Sequence, residues 1–270
     1  MTSTPVATET DVKARYDAEG WYRAPGRFTE LDIKKLRASV EQISSEARPE
    51  VVYESGTDVV RAIHGCHLFD DTCERLVRLP EMVDLAQTLI GEPVYVYQFK
   101  VNLKQPYEGA AWPWHQDYAF WEKEDGMPDD KAVNIAVFLD DVHAANGPLQ
   151  VIPGSHRFGL VEDDVAAKEA TGDWRQHVSA DLEYTVPAEK AAALAAERGT
   201  VSVEGPVGSY YAFHPSIVHS SSNNLSADRR ALLLITYNAV SNAPAAPTRP
   251  EFLVSRDATP ISALEAGAEL

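Results

Sequence analysis

From Val94 to Val240 the chain is written in short β-branched and aromatic runs: VYVYQFKVNLK, VNIAVFLDDV, LQVIPG, TVSVEG, GSYYAFH and ALLLITYNAV. Turn-rich pieces such as Ala145-Asn-Gly-Pro148 and Pro153-Gly-Ser155 cut them apart. Many short strands, with helices ahead of them, favour an antiparallel β-barrel or a double-sheet jelly roll. One inserted stretch, PAEKAAALAAERG, predicts a short helix stopped by Gly199. Helices are expected ahead of the strands. In TELDIKKLRASVEQISSEA, Thr29 is placed to cap with Asp32 three residues on, and Ile33, Leu36, Val40 and Ile43 recur at helical spacing. PEMVDLAQTLIG predicts a second helix, with Pro80 at its start and Gly91 ending it. The expectation is an α+β fold, a single domain over 1–270, with PAAPTRP a Pro-rich surface segment.

Charge restricts the partners. A net charge of −17 argues against nucleic acid and against an anionic membrane, both of which demand basic patches, and points to a small-molecule partner. The two cysteines, Cys66 and Cys73, are not a disulfide framework and fit a reducing compartment. The opening residues MTSTPVATETDVKARY lack a basic stretch followed by an apolar run, and no segment approaches 18 apolar residues. A soluble, cytoplasmic monomer or homodimer is expected.

The stretch WPWHQDYAFW sets His115 and Asp117 two residues apart among aromatic side chains. In extended backbone, residues i and i+2 share a face, so both can converge on one metal ion. The third ligand is sought among histidines 64, 67, 143, 156, 177, 214 and 219. His219, in FHPSIVHSSSNN at the end of an apolar run, is the one that a downstream strand could return to His115. Two histidines and one carboxylate form a facial triad that leaves three positions open on ferrous iron; zinc has the same ligand preferences. Arg230, eleven residues beyond His219 and at the start of ALLLITY, is suited to grip a carboxylate, whereas Arg229 would face the other side of the strand. The remaining histidines are expected at the surface or behind the site, with His64 the exception through substrate contact. Trp112 and Trp114 are expected in the core and Trp121 in the pocket wall.

WHQDYAFW, NIAVFLDDVHAANGPLQVIPGSH and FHPSIVHSSSNNLSADRRALLLITYN resemble the phytanoyl-CoA dioxygenase family of iron(II)- and 2-oxoglutarate-dependent oxygenases over roughly residues 10 to 260. RAIHGCH, VYQFKVNLK, PWHQDYAFWEKEDGM and RPEFLVSRDATP are similar to bacterial members that hydroxylate free amino or imino acids, proline first and ectoine at greater distance. The resemblance implies a double-stranded β-helix, a jelly-roll or cupin-like barrel with flanking N-terminal helices. It implies Fe(II), 2-oxoglutarate and O2 as cofactor and cosubstrates, with His115, Asp117 and His219 on the metal. Arg230 and Ser221 would hold the far carboxylate of 2-oxoglutarate, with Asn102 and Lys100 beside cosubstrate or substrate. Gln98, Trp121, His64 and, by its position in a segment that could fold over the site, Arg61 would meet the substrate. The implied reaction is L-proline to trans-4-hydroxy-L-proline; pipecolate, ectoine, another amino acid or a secondary metabolite are the alternatives. Family halogenases carry a small residue in place of the metal carboxylate, so Asp117 implies hydroxylation. A zinc-dependent cupin-like hydrolase or isomerase and a non-catalytic binding barrel are the readings from other classes.

Overall fold

A computed structural model describes residues 9–161, 174, 178 and 182–270; His177 lies outside them. Among the described residues the strands form two antiparallel sheets. In chain order the strands are β1 (Trp21–Arg27), β2 (Val51–Tyr53), β3 (Val60–His64), β4 (Val94–Lys104), β5 (Trp112–His115), β6 (Ala132–Phe138), β7 (Leu149–Val151), β8 (Val201–Val203), β9 (Ser209–Phe213), β10 (His219–Ser221) and β11 (Arg230–Ala239). The larger sheet has the order β1-β9-β6-β11-β4-β3-β2 and the smaller one β5-β10-β7-β8. The helices are α1 (Glu9–Glu19), α2 (Glu30–Ser44), α3 (Asp71–Val77), α4 (Pro80–Ile90), α5 (Asp117–Asp125) and α6 (Ala188–Arg198).

The sequence signals for α2 and α4 act as expected. Thr29 accepts from the Asp32 backbone while the Asp32 carboxylate accepts from the Thr29 backbone, so two of the four orphan amides at the helix start are satisfied. Pro80 opens α4, and Gly91, at φ +87° in the left-handed region, closes it. These helices cover one face of the large sheet. Ile33, Leu36 and Val40 of α2 and Met82 and Ala86 of α4 share a core with Phe99, Val101 and Leu103 of β4 and Leu233 and Ile235 of β11.

The other face of β4 and β11 looks into the space between the sheets. Along β11 the alternation is regular: Arg230, Leu232, Leu234, Thr236 and Asn238 lie opposite Lys104, Asn102, Lys100, Gln98 and Tyr95 of β4. The partner of Tyr237 is Val96, so β4 carries one extra residue, Tyr97, between Val96 and Gln98. This β-bulge shifts the phase of the strand. Val94 and Val96 pack with the helix-side core before it, as Phe99, Val101 and Leu103 do after it, while Tyr95 and Tyr97 belong to the inner aromatic cluster.

Both cysteines are buried and unbridged, and no helix among the described residues is long and apolar enough to cross a membrane. The Pro-rich segment 244–250 lies at the surface as expected except at Arg249, which is buried, as are Leu253 and Val254 just beyond it.

Thr29→Ala removes the cap from a helix distant from the inner cavity. It should lower stability by about 1 kcal/mol, read as the urea midpoint, and leave steady-state turnover at the wild-type value.

Candidate active site

The short β5 and β10 pair antiparallel with His219 opposite His115, and β7 flanks β10 on the other side. The two imidazole centroids are 4.1 Å apart. Each ring is oriented by the backbone two residues before it: His115 Nδ1 lies 2.7 Å from the Pro113 carbonyl and His219 Nδ1 2.9 Å from the Ile217 carbonyl. A carbonyl only accepts, so each Nδ1 carries the proton and each Nε2 keeps its lone pair.

Asp117 reaches the same point by a route that strand alternation alone does not describe. The strand ends at His115, Gln116 is still extended (φ −128°, ψ 124°), and Asp117 is the first residue of α5. The i, i+2 convergence survives because the turn into helix comes one residue later. Gln116, facing away, donates to the carbonyls of Gly159 and Ser216 at 2.9 and 2.7 Å and accepts from the Val161 amide at 2.7 Å, which anchors the junction. His115 Nε2 and His219 Nε2 are 3.8 Å from Asp117 Oδ1 and Oδ2 respectively, and ligand atoms of all three residues lie within 4.8 Å of one another.

All three ligand side chains are buried. Burial, joined by the neighbouring His219, holds His115 neutral with a pKa down at about 3, and burial lowers His219 too. Burial alone would raise Asp117, but Lys100 (Nζ at 3.6 Å), the histidines and a hydrogen bond from Asn134 outweigh it and leave it at about 2. Two neutral imidazoles presenting lone pairs beside an ionised carboxylate are a ready ligand set for a divalent ion.

The triad opens onto a cavity lined also by His64, Gln98, Lys100, Asn102, Trp121, Ser221 and Arg230, all expected there from the sequence. Arg230 is fully buried on β11, and its Nε and Nη2 donate to the Gly147 carbonyl at 3.1 and 2.7 Å. Its Nη1 and the Ser221 hydroxyl are buried without a hydrogen-bond partner among the described residues. Orphaned buried donors are costly, and two of them flanking one cavity fit the carboxylate of a bound dicarboxylic acid. Burial lowers the Arg230 pKa to about 10, which keeps it cationic near neutrality. Arg229 turns the other way and clamps Asp140 at 2.9 and 3.2 Å.

Arg61 is not brought to the cavity wall. Its side chain is buried, bonded to both Glu54 oxygens at 3.0 Å and lying over the Trp112 ring at 3.9 Å. Val52 pairs with Ala62 and Tyr53 with Val60, so Arg61 is the extra residue of a bulge in β3, and it turns to the Trp112 ring and the Val178 carbonyl (3.2 Å), behind the cavity lining rather than into it. Trp112, expected in the core, lines the cavity, whereas Trp114 packs against Ile152 and Val218 outside it. His67 stacks on Phe99, His143 meets Asp228 at 3.2 Å, and His156 and His214 lie 4.8 Å apart, all away from the cavity.

Sequence reasoning missed Asn134, Phe120, Leu182, Leu253 and Arg249. Arg249 forms a buried fork with Asp125, whose carboxylate also accepts from Tyr97 Oη. The EDGM segment and the Arg-Pro pair at 249–250 carried a signal, since a buried arginine needs an acid.

Two buried histidines and a buried carboxylate in a chain of two antiparallel sheets, with a buried arginine lining the same cavity, define an iron(II)- and 2-oxoglutarate-dependent dioxygenase. Residues 16–232 match the phytanoyl-CoA dioxygenase (PhyH) family, and the chain belongs to it. It is 60% identical over 257 residues to L-proline trans-4-hydroxylase of Streptomyces griseoviridis, covering 95% of this chain and 96% of that one. It is 32% identical over 262 residues to ectoine dioxygenase of Bordetella parapertussis, covering 93% and 84%. The structure of EctD from S. alaskensis with 2-oxoglutarate and 5-hydroxyectoine superposes with a TM-score of 0.79 at 28% identity, covering 95% of this chain and 86% of that one.

The buried neutral histidines make stability pH-dependent. His64 and His115 have folded pKa values of about 3 against an ordinary 6.5. The unfolded chain therefore takes up protons below about 6.5 that the folded chain refuses, so their contribution is complete above that pH and drains away as pH falls toward 3. Asp117 adds nothing to this window, because its contribution is lost only below its ordinary 3.8. The urea midpoint of the metal-free protein should fall steadily from pH 7.5 to 4.5, more shallowly in His64→Gln; a midpoint that does not move with pH would contradict the assignment.

Proposed function

We propose that this chain hydroxylates free L-proline at C4, in trans, with 2-oxoglutarate as cosubstrate. The observation that carries the chemistry is that the unpartnered donors of Arg230 and Ser221 open onto the cavity that holds His115, Asp117 and His219. The substrate rests on the 60% identity to the proline hydroxylase over nearly the whole chain.

The triad holds iron(II). When bound, iron(II) and 2-oxoglutarate convert O2 into one oxygen atom delivered to a substrate C–H bond and one retained in succinate, with release of CO2. The residues of the chain do the rest. Arg230 Nη1 and Ser221 Oγ bind the far carboxylate of 2-oxoglutarate, with Asn102 and Lys100 beside it on β4. His64 and Gln98 lie along the same wall, and Lys100 and Arg249 supply positive charge for the substrate carboxylate, the role that Arg61 is not placed to fill. Trp121 and Phe120, with Leu182 and Leu253, exclude water and pack against the pyrrolidine ring, so that one carbon is presented to the metal. No residue has to act as general acid or base in the hydroxylation.

Purified enzyme with iron(II), ascorbate and 2-oxoglutarate should form succinate and trans-4-hydroxyproline in equal amounts from L-proline, with the product located by NMR. Pipecolate, one methylene larger, should be turned over less efficiently by about 1–3 kcal/mol in specificity. Turnover of ectoine or another amino acid in preference to proline would overturn the substrate, and metal-dependent hydrolysis or isomerisation without succinate would overturn the reaction class. Asp117→Ala should abolish hydroxylation. Arg230→Ala should weaken 2-oxoglutarate binding by about 3 kcal/mol, roughly a hundredfold, while Arg229→Ala leaves it unchanged. The reverse pattern would show that the wrong arginine has been assigned.

A further inference from the structure

The two oxygens of Asp117 are not equivalent. Each lies 3.8 Å from one histidine, Oδ1 from His115 Nε2 and Oδ2 from His219 Nε2, but Oδ2 also accepts from Asn134 Nδ2 at 2.8 Å, whereas the nearest other donor to Oδ1 is Lys100 Nζ at 3.6 Å. Asn134 sits on β6 and is wholly buried. Its amide has one possible orientation here: a carboxylate only accepts, so the NH2 must face Asp117. The amide oxygen is thereby turned to Thr236 Oγ1, which donates to it at 2.6 Å. Thr236 is the cross-strand partner of Asn134 in the β6–β11 ladder, and it too is wholly buried. A two-bond relay thus runs from β11 through β6 to the carboxylate at the start of α5.

We infer that Asn134 and Thr236 are positioning residues for the metal: by occupying Oδ2 they fix the rotation of the Asp117 carboxylate and leave Oδ1 as its ligand oxygen. One-oxygen binding preserves the open positions that the proposed reaction needs, and the inference rests on the reading of His115, Asp117 and His219 as a metal centre. Thr236 contributes through Asn134, since an amide held by one bond alone can swing away from the carboxylate.

The test is anaerobic titration of the metal-free protein with Co(II), followed by its visible absorption and by competition with a chelator of known affinity, with thermal unfolding measured alongside. Asn134→Ala should fold and bind Co(II) 10- to 100-fold more weakly, on the order seen when a partner of a metal ligand is removed. Thr236→Val, which keeps the shape and removes the hydroxyl, should lose affinity in the same direction but less, and Thr236→Ser should restore it. Asn134→Ala/Thr236→Val should be no worse than Asn134→Ala alone, because the two act in series. Wild-type affinity in a folded Asn134→Ala protein overturns the inference. If that variant does not fold, equal affinities in Thr236→Val and Thr236→Ser overturn it instead. Wild-type protein that takes up no Co(II) removes the metal centre itself, a failure distinct from that of the relay.

Discussion

One cross-strand pair organises the molecule: His219 opposite His115 at the junction of two strands of three and four residues. So few backbone hydrogen bonds cannot hold a site by themselves. Their neighbours hold it for them, β7 on the far side of β10 and the Gln116 side chain bridging to the carbonyls of Gly159 and Ser216. With the histidines placed, the reversal from strand to helix at Asp117 completes a three-residue cluster whose members come from one ladder and one helix start. The seven-stranded sheet then acts as a rigid wall that carries Arg230, and β10 of the smaller sheet brings Ser221 to the same cavity.

The interior around the cavity concentrates positive charge in a chain of net charge −17. Lys100, Lys104, Arg230 and Arg249 are all wholly or mostly buried, and each is tied to a different acceptor: the Asp117 carboxylate, the Ser222 carbonyl, the Gly147 carbonyl and the Asp125 carboxylate. Buried cations are costly unless paired. Burial pushes Lys104 down to about 6, with Arg230 and Arg61 adding to the effect, so one of this group gives up its proton readily. An anionic cosubstrate and an anionic substrate end both relieve that accumulation, whereas the −17 exterior offers phosphate-bearing carriers no landing surface.

The sequence carried more of the site than of the scaffold. The alternation of Gln98, Lys100 and Asn102, the spacing of His115 and Asp117, and the placing of Arg230 on a strand end all reflect period-two geometry, which is local. The barrel strands and the capped helices α2 and α4 were legible for the same reason. What escaped notice is what depends on distant partners. β1, WYRAPGR, contains Pro and Gly and is a strand because β9 pairs with it; β5 is four residues with a proline inside. α5 has no helical repeat of apolar residues, since its buried face carries Asp117 and Asp125 among the aromatic side chains. Arg249 is polar sequence in a Pro-rich stretch, and only its contact with Asp125, 124 residues earlier, explains why it lies inside. Arg61 was drawn toward the site by nearness in sequence to His64, but a bulge in β3, which no local pattern announces, sets it against the Trp112 ring and the Val178 carbonyl instead.

The bulge at Tyr97 has a consequence for how this chain can change. Upstream of it β4 offers aromatic rings to the interior, and downstream it offers Gln98, Lys100 and Asn102. Both sets face inward only because one residue is counted twice. Were the same eleven residues paired to β11 without the bulge, the two halves could no longer agree: either the tyrosines would be pressed into the helices or Phe99, Val101 and Leu103 would fill the catalytic chamber while Lys100 entered the hydrophobic layer. Point replacements at these positions adjust the chamber one wall at a time, but losing the bulge with the length unchanged turns half of it inside out. The bulge in β4 is therefore as much a part of the active site as the identities of its residues.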